Sequence, residues 1–160
     1  LSIPSNRLCF SPIRSDEKLE DEGLIFDHIQ ELACKLADYL PHTPVSSYGV
    51  NFLFKSSIGE CSFFNEETLM YKTLTAEDED IIEEHSRYSL RHRNAVLNLT
   101  AKEKEDNGKI LELDFNYHHL IQDLSQLKAG FDETSIREYY VFSKELAERI
   151  EHQIGELTEE

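Results

Sequence analysis

Tryptophan is absent, methionine occurs once, and the three cysteines (Cys9, Cys34 and Cys61) stand far apart with no CxxC spacing. So sparse and odd a set makes neither a disulfide framework nor a zinc ribbon, and it suits a reducing compartment, hence the cytoplasm. Glycine is scarce too, at six residues. There is no GxGxxG turn, P-loop, GxSxG elbow or HExxH helix, so no cofactor is expected, and an enzyme is the less expected class. No apolar run approaches 18 residues and no stretch reads as a signal peptide, so nothing is expected to span a membrane. Basic residues number 16 against 32 acidic ones, a formal charge of −16. That imbalance argues against general binding to nucleic acid or an anionic membrane. It leaves solubility, a basic protein partner or mimicry of nucleic acid.

What is present is periodic. Hydrophobic residues make up 39% of 160, enough for one domain over 1–160 with a real core. A start at Leu1 without Met fits a processed chain or a fragment of a longer one. Leu8 and Phe10 share a face in a short edge-strand candidate between Pro4 and Pro12. The charged stretch 15–23 reads as a solvated loop. Residues 24–40 carry Ile25, Phe26, Ile29, Leu32, Ala33, Leu36, Ala37 and Leu40 at helical spacing, and Pro41 ends the helix. Over 45–55, Tyr48, Val50, Phe52 and Phe54 alternate with Ser47, Gly49, Asn51 and Leu53, as in a half-buried strand.

The middle is less legible. Ser56-Ser-Ile-Gly59 looks like a turn, 61–64 like a short strand, and 66–72 fits a helical turn or a strand. Thr75 resembles an N-cap for a short helix over 76–85. Residues 120–130 suggest a helical segment or a packed loop. Asp132 or Thr134 is then expected to cap a final helix over 133–157, striped by Ile136, Tyr139, Tyr140, Ser143, Leu146, Ala147, Ile150 and Ile154.

The clearest stretch is a long hairpin with strands at about 87–104 and 109–118. Leu111, Leu113, Phe115 and Tyr117 alternate with Glu112, Asp114, Asn116 and His118. A two-residue Asn107-Gly108 turn would set polar groups against the apolar face. A three-residue loop, Asp106-Asn107-Gly108, pairs Glu105 with Lys109, Lys102 with Glu112, Thr100 with Asp114, Leu99 with Phe115 and Leu97 with Tyr117. Both faces then match, and Gly108 takes the left-handed position. The sum is an α+β fold: an antiparallel sheet of about four to five strands with two long helices, about 24–40 and 133–157, packed on one face.

Candidate sites are few. Arg87, Arg91, His92 and Arg93 form the densest basic cluster, and the three arginines share a parity with Leu97 and Leu99. One face cannot be both core and triply cationic, so the strand must bend near Asn94 or run past the core. A cluster of this kind suits an anion site for carboxylate or phosphate, or ion pairing with the abundant carboxylates. His118 and His119 would point to opposite faces and make a poor chelating pair. Asp114 and Glu112 share a face with His118, as acid–base groups or an exposed polar face would. Tyr139-Tyr140-Val141-Phe142 spreads bulk around the last helix, where an exposed aromatic would mark a partner surface. Asn98-Leu-Thr100 matches a glycosylation acceptor but falls within a strand. The expected function is a non-enzymatic interaction module that self-associates or binds a protein partner. The alternative is a small-ligand or anion binder using the Arg cluster in a cleft between sheet and helices.

Overall fold

A computed structural model describes residues 22–59, 63–64, 83–105 and 108–156. The strand expected near Leu8, the loop over 15–21, and the segments at 61–62, 66–72 and 76–82 lie outside these residues. The fold is α+β, with a four-stranded antiparallel sheet and three helices. In chain order these are α1 (Glu22–Tyr39), β1 (Ser47–Gly59), β2 (Glu83–His92), β3 (Ala95–Glu105), β4 (Lys109–Leu120), α2 (Ser125–Glu133) and α3 (Ile136–Glu156). Among the described residues, no helix is long and apolar enough to cross a membrane.

The chain divides into two compact units. The first holds described residues 22–46 and 121–138. In α1 the small residues Ala33 and Ala37 are buried. The Pro41 connector is tied to the segment after β4: Leu124 and Ser125 donate backbone N–H groups to the carbonyls of Thr43 and Pro41 (3.2 and 3.1 Å). Asp123 Oδ1 accepts the Ser125 N–H (3.0 Å) where α2 begins. The final helix expected from 133 starts at Ile136, and the segment expected over 120–130 as a helix or packed loop forms α2. Thr134 turns extended after α2, and its N–H closes the helix on the Gly130 carbonyl. Ser135 then starts α3 with a capping box. Its N–H donates to Glu138 Oε2 (2.8 Å), and the Glu138 N–H donates to Ser135 Oγ (3.2 Å). Neither Asp132 nor Thr134 supplies that cap. Gln30 Oε1 takes the next orphan donor, the Ile136 N–H (2.9 Å).

The second unit is the sheet, in the order β1-β4-β3-β2, with α3 from Tyr139 onward. The β3–β4 register is the one the three-residue loop requires, from Glu105 opposite Lys109 to Leu97 opposite Tyr117. Gly108 has φ +125°. Leu97, Ala101, Leu111, Leu113, Phe115 and Tyr117 are buried on the inner face, and Tyr139, Ser143 and Ala147 of α3 are buried too. Tyr140 stacks on Phe54 and tilts against Phe52, with centroids 6.0 and 5.6 Å apart. Each large apolar side chain so buried stabilises the fold by about 1.5–3 kcal/mol.

Two local expectations are corrected by this unit. Ser56 and Ser57 do not turn; they extend β1 opposite Leu111 and Ile110, and Ile58 is buried beyond them. Pairing with a buried strand outweighs the local turn chemistry of Ser-Ser-Ile-Gly. Residues 83–85, expected to end a helix, begin β2 opposite Lys104, Glu103 and Lys102.

Candidate partner-binding surface

The strand expected from 87 to 104 is two strands. The chain reverses at Arg93-Asn94, with His92 opposite Ala95 and an unbroken register from there to Glu83 opposite Lys104. Arg93 takes φ 53°, a left-handed conformation uncommon for a side chain without amide or acid chemistry. Asn94 is anchored from the helix: its Oδ1 accepts the Tyr139 hydroxyl proton (2.7 Å).

A two-residue turn exchanges the parity of the strands it joins. In β2 the odd residues therefore point away from α3 and the even ones toward it. This resolves the conflict between the arginines and the core. Arg87 and Arg91 are exposed on the outer face, opposite Thr100 and Val96. Arg93 is exposed in the turn, and His92 points to the inner face. The four residues do not converge on one point. The His92 ring lies 4.0 Å from Phe142, with Tyr117 and Tyr139 around it at 5.7 and 6.1 Å. Desolvation there, and then the charge of Arg93, hold its pKa below the ordinary histidine value. Near neutral pH it therefore offers aromatic surface more than charge.

The outer face is a polar grid. Asn51, Asn116, Asn98 and Ser89 occupy one register row across all four strands. Asn116 Nδ2 donates to Asn51 Oδ1. Asn98 Nδ2 donates to Asn116 Oδ1 (3.4 Å), and Ser89 Oγ donates to Asn98 Oδ1 (2.7 Å). Two rows away, Glu112 binds Lys55 (2.6 Å) and Lys104 (2.9 Å), and these contacts hold its carboxyl below the usual carboxylate range. Asp114, between them, is shifted upward by desolvation. Among the described side chains of this face, the cations Lys55, Arg87, Arg91, Lys102 and Lys104 outnumber the carboxylates Glu112 and Asp114. In a chain of formal charge −16, the described side chains of this face thus carry net positive charge. Arg87 and Arg91 make no ion pair with the described residues.

β2 is also the edge of the described sheet. On its inner side Tyr88 and Leu90 remain 48% and 42% exposed, although they sit opposite the buried Leu99 and Leu97. Residue by residue, the strand therefore presents alternating cationic and apolar groups along the edge of the described sheet.

A second constellation is buried on the inner face. Tyr117 Oη and Ser143 Oγ are 2.8 Å apart, and Ser143 donates to the Tyr139 carbonyl (2.8 Å). Desolvation pushes the Tyr117 pKa up to about 12. Tyr139 Oη gives its proton to Asn94, so His119 Nε2, 3.2 Å away, donates to that oxygen. His119 stacks on Tyr48 at 4.3 Å, while His118 lies on the other face, as expected for adjacent strand residues. Tyr117, Tyr139, Ser143 and His119 are at most 5% exposed, whereas Asn94 is exposed. What they achieve is to clamp the β2–β3 turn to β4 and α3. Among the described residues, no cluster of His, Cys, Asp or Glu is placed to hold a metal ion.

Sequence reasoning located the arginines but missed Tyr88, Leu90 and the asparagine row. Asn98 opposite Asn116 follows from the hairpin register. Asn51 and Ser89 do not, because nothing local fixes the partners of β1 and β2. No protein-family model, curated protein or solved structure matches this chain.

Proposed function

We propose that the protein is a non-enzymatic, soluble, cytoplasmic interaction module that binds a protein partner, or a second copy of itself, at the β2 edge of its sheet. The observation that carries this reading is β2 itself. It is ten residues long, holds its register without a bulge, contains no proline and exposes Tyr88 and Leu90. An edge strand presents a row of N–H and C=O groups on which another strand can pair. Three cysteines without a pairing pattern, and a free Cys34 thiol, support the cytoplasmic setting.

Selection of binders from a displayed random-peptide library tests the reading. Enriched peptides are expected to lose binding to a Leu90→Glu variant, which places a charge on the apolar side of the edge. Peptides that bind the variant as well as the parent would refute it.

A second reading, binding of a small anion, is favoured by the cations of the outer face. It requires a thermal shift with phosphate or citrate that vanishes in Arg87→Ala/Arg91→Ala.

A further inference from the structure

Resting on the reading of β2 as a binding edge, we infer that its partner is an extended acidic segment. That segment would add as a strand, with two carboxylates four residues apart on one side and apolar residues on the other.

The backbone supplies the first part. The pair that closes a two-residue hairpin exchanges both of its hydrogen bonds, and hydrogen-bonded pairs then alternate along the strand. With His92 opposite Ala95, the groups of Ser86, Tyr88, Leu90 and His92 turn toward β3. Those of Arg87, Ser89 and Arg91 turn away from β3, to the edge of the described sheet. Side-chain parity supplies the second part. Arg87 and Arg91 rise from the outer face about 13 Å apart, four residues at about 3.3 Å each. A paired strand has the same rise, so carboxylates four residues apart along it meet both guanidinium groups. Its two alternate residues between them lie on the inner side, beside Tyr88 and Leu90.

In the register that would mate the exposed apolar pair, charge disfavours a second copy. In a self-pairing that mates Tyr88 with Leu90 of the second copy, Arg87 stands opposite Arg91 of that copy. Like charges directly opposite each other are destabilising. The net charge of −16 repels an acidic ligand elsewhere, which confines its attraction to the cationic face.

The test uses the full chain and a fluorescein-labelled peptide, Thr-Glu-Val-Thr-Val-Glu-Thr, followed by anisotropy. The peptide is expected to bind, and Arg87→Glu/Arg91→Glu to weaken it by about tenfold or more with unchanged circular dichroism. Replacing both glutamates of the peptide by lysine is expected to abolish binding. N-methylation of alternate amides is expected to abolish it for one of the two alternate sets and spare the other, which side-chain docking alone would not do. Lack of binding, equal binding of the lysine peptide, or equal tolerance of both methylated sets overturns the inference. Concentration-dependent dimers that a Leu90→Glu change dissolves would give the edge to a second copy, overturning the acidic strand while leaving the interaction reading standing. Library binders that need Leu90 but lack paired acids would separate the two in the same way.

Discussion

Arg93 and Gly108 both turn the chain through positive φ, and they differ in what they cost. Gly108 sits at φ +125° with no atom of the described residues near the place a Cβ would occupy, so backbone strain is what opposes a side chain there. Gly108→Val should lower stability by about 1–3 kcal/mol, read as a fall in the urea midpoint; a change within error of zero would count against the turn. At Arg93, φ 53° is already borne by a side chain. Arg93→Gly is expected to leave stability unchanged or raise it by up to about 1 kcal/mol, and Arg93→Val to lower it by about 1–2 kcal/mol. His92 makes a pH-dependent contribution. Its folded pKa lies below the ordinary value of 6.5, so protonation favours the unfolded chain. The contribution is complete above pH 6.5 and is lost as the pH falls from there toward the lowered value. Wild-type stability should therefore drop more steeply through that range than that of His92→Phe, in paired urea titrations. Parallel curves would show that the ring does not carry the effect.

At the scale of elements, α3 depends on a start signal that its stripe did not reveal. Ser135→Ala removes the side-chain half of the capping box and should cost about 1 kcal/mol, with Glu138→Gln milder because its amide oxygen still accepts the Ser135 N–H. Equal losses would assign the effect to the charge of Glu138 instead. The box was visible as Ser-Ile-Arg-Glu, but Thr134 and Asp132 are equally plausible caps until the extended Thr134 is seen. The β3–β4 register was fully legible, because two alternating faces must match across one short loop. The β2–β3 reversal was not. Arg-Asn lacks the glycine that usually marks a two-residue turn, and the parity of the arginines signalled a break without giving its form. Ser56 to Gly59 failed for the opposite reason: turn-rich residues were held in a strand by a neighbour distant in sequence. Of the candidate surface, the cations were readable and the exposed apolar pair was not, since Tyr88 and Leu90 acquire their side of the sheet only through that turn.

For the molecule as a whole, charge distribution and edge exposure point the same way. The acidic chain places cations on the outer face of one sheet, locks part of them with Glu112, and leaves Arg87 and Arg91 along β2. The Tyr139–Asn94 and Tyr139–His119 hydrogen bonds fix the turn from which that strand departs. Residue-resolved amide hydrogen exchange shows whether β2 offers an edge for pairing. Exchange is expected to be slow at Tyr88 and Leu90, whose amides pair with β3. It is expected to be fast at Arg87, Ser89 and Arg91, becoming slow when the acidic peptide is added. Uniform protection of all five amides in the protein alone would contradict this, because the edge would then already be covered.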